Sequence, residues 1–187
     1  MKKQIENIFQ ESIQVKEAAF NANMDLLIQA VGVITKAFQQ GNKVIFFGNG
    51  GSAADSQHIA AEFIGRFQKE RRALPAIALT TDTSILTALG NDYGFDVVFS
   101  RQIEALAQEG DIAFGISTSG SSPNVLKGIE KARELGLVTI SLTGCSGGKL
   151  VDLTDISLVV PSQKTARIQE SHICMAHTIC ELVENQF

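Results

Sequence analysis

The chain has 187 residues, 44% of them hydrophobic, which suits one compact domain with a sizeable core and leaves no room for a long low-complexity linker. A formal net charge of −4 from well-mixed charges excludes a broad nucleic-acid-binding surface, and the one charge-dense run, Lys69-Glu70-Arg71-Arg72, reads as a solvated loop. Cys145, Cys174 and Cys180 are odd in number and lack a C-x-x-C spacing, which argues against a disulfide framework or a thiolate zinc site.

Met1 to Glu6 carries charge with no apolar block behind it, so neither a signal peptide nor a membrane span is expected, and the predicted location is cytoplasmic. Ile5, Ile8, Phe9 and Ile13 keep helical spacing, and Leu27, Ala30, Val31, Ile34 and Phe38 repeat it up to Gly41. The pattern predicts an N-terminal helical hairpin over about 1–40, whose first stripe either covers a sheet or serves a subunit interface.

The apolar run Val44-Ile45-Phe46-Phe47 predicts a strand, followed by the turn Gly48-Asn49-Gly50-Gly51-Ser52 and a helix from Ala53 to Glu62. Glycines there let backbone approach a ligand, and a helix start offers free N–H groups to an anion. A short run at Ala76 to Leu79 leads to a polar loop over Thr80 to Ser84, then a helix ending in Gly90-Asn91-Asp92-Tyr93-Gly94. Phe95 to Ala107 reads as helix and Ile112 to Ile116 as a third strand.

That strand runs into Ser117-Thr118-Ser119-Gly120-Ser121-Ser122, with Pro123 opening another helix to about Leu135. Strands at Val138 to Leu142 and Ile156 to Val160, and a last helix from about Thr165, complete the chain. Strands without polar alternation, joined by helices, imply a parallel sheet covered on both faces with ligands at the C-terminal strand ends.

Two loops and two helices hold the candidate chemistry. Ser117, Thr118, Ser119 and Ser122 put hydroxyls and N–H groups between a strand and a helix start, equipment for holding phosphate without a lysine, although a serine there also serves as an ordinary helix cap. No glycine-lysine-serine follows either loop, and Gly48 to Gly51 does not match G-x-G-x-x-G, so a Walker loop and a nicotinamide site are excluded. His58 and Glu62 share a helix face, and His172 and His177 share the last helix with Gln169. His58, Glu62 and His177 suit either proton transfer or, with Gln169 as an oxygen ligand, a zinc ion; spacing does not separate the two.

Gly48-Asn49-Gly50-Gly51-Ser52, His58 with Glu62, Gly90 to Phe95, Ser117-Thr118-Ser119-Gly120, and Ala166 to Glu170 with His177 together resemble the phosphoheptose isomerases, proteins of the sugar-isomerase (SIS) domain group. The likeness runs from the N-terminal helices to the last helix. It implies a single SIS domain over 1–187, a three-layer αβα sandwich with a five-stranded parallel sheet, assembled as a homotetramer with active sites at subunit interfaces. It also implies conversion of D-sedoheptulose 7-phosphate to D-glycero-D-manno-heptose 7-phosphate for surface-glycan heptose.

Carried over by position, Ser117, Thr118, Ser119 and Ser122 would hold the phosphate. Asn49, Gly50, Gly51, Ser52, Asn91 and Asp92 would contact the sugar, with Glu62 and Gln169 beside it. His58, Glu62, Gln169 and His177 would bind one zinc per subunit, and Glu62 and His177 would be the acid–base pair. The competing expectation is a non-catalytic SIS module that binds a sugar phosphate or a replication-initiator protein.

Overall fold

A computed structural model describes all of residues 1–187. Strands β1 (Val44–Gly48), β2 (Ala76–Ala78), β3 (Ile112–Ser117), β4 (Val138–Gly144) and β5 (Ile156–Val160) form one sheet in the order β2-β1-β3-β4-β5, every pair parallel. Strands β1 and β3 are buried along their whole length, which is why their sequences are apolar without alternation.

The helices are α1 (Lys2–Gln39), α2 (Gly51–Ile64), α3 (Thr83–Asp92), α4 (Val98–Leu106), α5 (Pro123–Glu134), α6 (Leu150–Leu153) and α7 (Thr165–Glu184), with a 3-10 turn at Phe95–Val97. On one face of the sheet Leu27, Ile34, Phe63, Ile168 and Met175 from α1, α2 and α7 pack on Phe46, Phe114 and Leu142. On the other, Phe99, Ile103, Val125 and Ile129 from α4 and α5 pack on Ile45, Phe47 and Ala113. The expected αβα sandwich is therefore observed; β1 and β3 feed an apolar layer on each face, whereas the second face of β4 and β5 carries the buried hydroxyls of Thr139, Ser141, Thr143 and Ser157.

One expectation is corrected: the segment over 1–40 is a single 38-residue helix, not a hairpin. No glycine or proline lies between Ile13 and Leu27, so nothing in that span stops the helix. Asn23, the residue there most suited to a turn, instead uses its amide inside the fold. Its Nδ2 donates to Ala19 O (2.6 Å) and Val159 O (2.8 Å), and its Oδ1 accepts from Val159 N (2.9 Å). That amide pairs the free edge of β5, which would otherwise offer open backbone groups to another strand.

The buried stripe of α1 starts only at Ala19 and runs Asn23, Leu27, Ala30, Ile34, Ala37 and Phe38. Its first half leaves Ile5, Ile8, Phe9 and Ile13 between 51% and 66% exposed. By length and composition α1 would reach across a membrane, with one 18-residue window at a hydropathy of 1.2. Its C-terminal half is nevertheless core, packed on the sheet.

The strand order reverses between β1 and β3, with β2 on one side of β1 and β3 on the other. The loops leaving β1, β3 and β4 at their C-terminal ends meet there, in the crevice where such sheets take ligands.

Candidate active site

The loop after β1 enters α2 through Gly50, whose φ of +56° favours glycine, and no side chain caps the helix. A methyl group on Gly51 would collide with the Gln169 amide, so glycine lets α7 close on this turn. Across the crevice, Ser122 precedes α5 without capping it; its Oγ lies 2.9 Å from Ser117 Oγ, and Ser117 Oγ lies 3.4 Å from Ser119 Oγ. The bland reading of Ser122 as a helix cap is thereby set aside.

Gly120, at φ +64°, lets the serine loop lie directly on the backbone of Gly147 and Gly148. Between the two loops is a cavity of about 220 Å³ lined by Asn49, Ser52, Ile116, Ser117, Thr118, Ser122, Thr165 and Gln169. Hydroxyls, amides and the starts of three helices, α2, α5 and α7, converge on it, a donor-rich lining suited to an anion. A larger hollow of about 480 Å³ at Cys145, Ser146, Pro161, Ser162 and Gln163 contains none of the acid–base candidates.

The second part of the site lies farther along α2 and α7. His58 Nε2 is 3.0 Å from Glu62 Oε1, and the His58 and His177 rings meet edge to face at 5.0 Å. One ligand atom from each of His58, Glu62 and His177 falls within 4.8 Å of the others. Burial lowers the pKa of His177, the neighbouring His58 lowers it further, and Glu62 opposes both. Its Nε2 is buried with no hydrogen-bond partner. An orphaned ring nitrogen beside a second imidazole and a carboxylate fits a divalent metal that takes nitrogen and oxygen ligands.

The structure brings six of the predicted substrate residues, Asn49, Ser52, Ser117, Thr118, Ser122 and Gln169, to one cavity, and His58, Glu62 and His177 to one cluster. Gln169 sits with the loops, eight residues and about 12 Å of ideal helix axis from His177. Gly50 borders an adjoining hollow with Asn49, Thr80 and Phe95, and Ser119 is exposed at the serine loop. Asn91 and Asp92 are exposed at the end of α3, bonded to each other at 2.8 Å and outside both groups. His172 is a core residue: its ring Nε2 lies 2.9 Å from Thr143 O, and burial pushes its pKa down to about 4 against that bond.

Two residues that the sequence reading passes over shape the site. Asn124, 3% exposed at the start of α5, exchanges two hydrogen bonds with Asn49, at 2.8 and 2.9 Å, and so ties the glycine loop to the serine loop. Its position just after Pro123 was the available signal. Asp55, one turn before His58, has a buried Oδ2 without a partner, and burial raises its pKa while His58 lowers it.

A parallel sandwich with a donor-rich, lysine-free cavity beside its switch point is thus what the chain builds, and the SIS domain family profile matches residues 8–144. Among proteins similar to the chain, the phosphoheptose isomerase of Aquifex aeolicus is 56% identical over 184 residues, 98% of this chain and 96% of that one. The solved phosphoheptose isomerase of Neisseria gonorrhoeae is 44% identical with a TM-score of 0.93 over 98% of both chains. That of Francisella tularensis is 40% identical with a TM-score of 0.94 over 98% of this chain and 97% of its own. The chain belongs to the phosphoheptose isomerase family of SIS-domain proteins.

Proposed function

We propose that this chain is the isomerase that interconverts D-sedoheptulose 7-phosphate and D-glycero-D-manno-heptose 7-phosphate, in the cytoplasm, for surface-glycan heptose. One observation carries the reading. Ser52 and Gln169 of the cavity lie on α2 and α7, the same two helices that carry His58, Glu62 and His177. Ser52 and His58 are six residues apart, about 9 Å along an ideal helix, so one elongated sugar phosphate can engage both.

In this reading Ser117, Thr118, Ser119, Ser122 and the starts of α2 and α5 hold the phosphate, and Asn49, Gly50 and Gly51 contact the sugar hydroxyls. Moving the carbonyl from C2 to C1 requires taking a proton from C1, carrying charge on an enediol-type intermediate, and delivering a proton to C2. Glu62 is the group that moves this proton, with His177 as its partner at the oxygens. His58, Glu62 and His177 would hold one zinc ion per subunit, which would polarise the carbonyl and hydroxyl oxygens, and Gln169 stays with the cavity. A homotetramer with sites at subunit interfaces accords with the exposed stripe of Ile5, Ile8, Phe9 and Ile13 on α1.

A non-catalytic SIS module would need the serine loop and not the His58, Glu62 and His177 set, and the family relation does not favour it. The test is to incubate the purified protein separately with sedoheptulose 7-phosphate and fructose 6-phosphate, before and after chelation and zinc add-back. Turnover of the heptulose alone, lowered by chelation and restored by zinc, is expected. Turnover of neither sugar would overturn the proposal.

A further inference from the structure

The charge run Lys69-Glu70-Arg71-Arg72, expected to be a solvated loop, holds one residue that is not solvated. The Arg71 side chain is 2% exposed, against Glu184 at 1%, with Nε 3.4 Å from Glu184 Oε2. Arg71 Nη2 donates to Glu62 O (2.8 Å), and Nη1 donates to Phe63 O (2.8 Å), Gly65 O (2.9 Å) and Arg72 O (3.0 Å). The first three are carbonyls at the C-terminal end of α2, which an α-helix leaves without internal partners, and a cation there also meets the negative end of the helix dipole. Glu184 accepts from three successive amides, Phe67 N at 2.8 Å and Gln68 N and Lys69 N at 2.7 Å.

The pair is linked to the reactive cluster in three ways, one of them a direct contact. Arg71 grips the carbonyl of Glu62 itself. Glu184 lies seven residues after His177, two turns along α7, so the two share one stripe of that helix. The amide that Glu184 holds at Phe67 fixes a ring that packs on His177 at 5.3 Å. A buried ion pair is weak support for stability, because apolar side chains of similar volume would serve as well. A planar guanidinium and a carboxylate fix direction, and here the directions run to the backbone of one candidate catalytic residue and the packing of the other.

We propose that Arg71 and Glu184 form a positioning clamp that sets the geometry of Glu62 against His177. Neither side chain touches substrate; each acts through the residues it holds. The clamp rests on reading His58, Glu62 and His177 as the reactive centre, and its test must fail separately from that reading. The variants are Glu184→Gln, Arg71→Lys and Phe67→Leu, with Ile129→Val in the opposite core layer as a control for lost stability.

Each is measured for His177 ring signals by NMR in metal-free protein, zinc affinity by chelator competition, kcat, KM and thermal midpoint. Glu184→Gln is expected to move the His177 signals and to lower zinc affinity and kcat by about 10-fold, the scale of lost outer-shell support for a metal ligand, with KM near wild type. Arg71→Lys does the same, since one ammonium cannot reproduce the guanidinium fork. Phe67→Leu gives a smaller loss of the same kind, and Ile129→Val lowers the midpoint without moving the other readouts.

Folded clamp variants with wild-type His177 signals, zinc affinity and kcat would overturn the clamp. If Glu184→Gln and Arg71→Lys do not fold, unchanged His177 signals and kcat in Phe67→Leu overturn it. A wild-type protein that binds no zinc and turns over no heptulose phosphate overturns the site reading instead, and the His177 signals still decide the clamp.

Discussion

The two halves of the site are built in opposite ways. On the cavity side the serine loop is made of neighbours in sequence, its hydroxyls paired to one another across a five-residue loop, and Asn49, Ser52 and Gln169 close on it from two other segments. The His58, Glu62 and His177 cluster is made of side chains from two helices over a hundred residues apart, and the groups that orient them lie outside it. Under the proposed function such a loop binds by repetition, so any one hydroxyl is expected to be partly replaceable. A cluster of three has no such redundancy, and under the proposed mechanism losses there are expected to fall on the chemical step.

The largest expected effect tests that division on the cluster side. Glu62→Gln keeps shape and removes the base, and is expected to lower kcat by about 1,000-fold, within the range for a positioned acid–base group, with substrate affinity retained. Steady-state kinetics with a calorimetric binding measurement checks it, and a variant with full activity would sink the mechanism.

A second test uses the core histidine as a contrast to the cluster. His172 is held near pKa 4 in the fold by burial and sits near 6.5 in an unfolded chain. Between those values the unfolded state binds a proton that the folded state does not, so stability falls as pH drops through that window, by about 3 kcal/mol in all, and levels off below it. Urea midpoints across the window should show a shallower slope in His172→Gln than in wild type. Identical slopes would mean that His172 does not contribute.

On the loop side, Ser122→Ala removes one donor to a charged oxygen and is expected to raise KM by about 10-fold, about 1.5 kcal/mol, with kcat near wild type. A fall in kcat with KM unchanged would place the serine loop in the chemistry and erase the contrast between the regions. The smallest effect belongs to the link between the two loops. Asn124→Ala breaks both bonds to Asn49 and should cost about 1 to 2 kcal/mol of stability, with a modest rise in KM. Denaturation midpoints and steady-state KM measure it, and an unchanged midpoint would show that the pair is not a tie.

The same contrast explains what could be read from the sequence. The five strands and the serine and glycine loops were legible because each is a contiguous pattern of apolar runs, turn residues and helix starts, and the order of the strands was not, since it is set by how the crossovers pack. The division of 1–40 into two helices failed because two separate apolar stripes mark two uses of one helix, an exposed half and a core half, rather than a break. His58 with Glu62 was legible from spacing. That His177 rather than His172 joins them was not a matter of local pattern, since it turns on which face of α7 meets α2. Arg71 and Glu184 were illegible for a sharper reason: in sequence they are two charges among many, and only the fold buries them together. Asn124 was hidden in the same way, as a polar residue near a helix start that faces inward to Asn49.

The central claim is that the cluster moves a proton between adjacent carbons of a sugar held by the loops. The most direct measurement follows sedoheptulose 7-phosphate in deuterated water by NMR, with the wild-type protein and with Glu62→Gln. The account predicts that the wild type forms D-glycero-D-manno-heptose 7-phosphate carrying deuterium at C2, and that Glu62→Gln binds the sugar but leaves its C1 protons in place. Loss of the C1 protons at the wild-type rate in Glu62→Gln would contradict it.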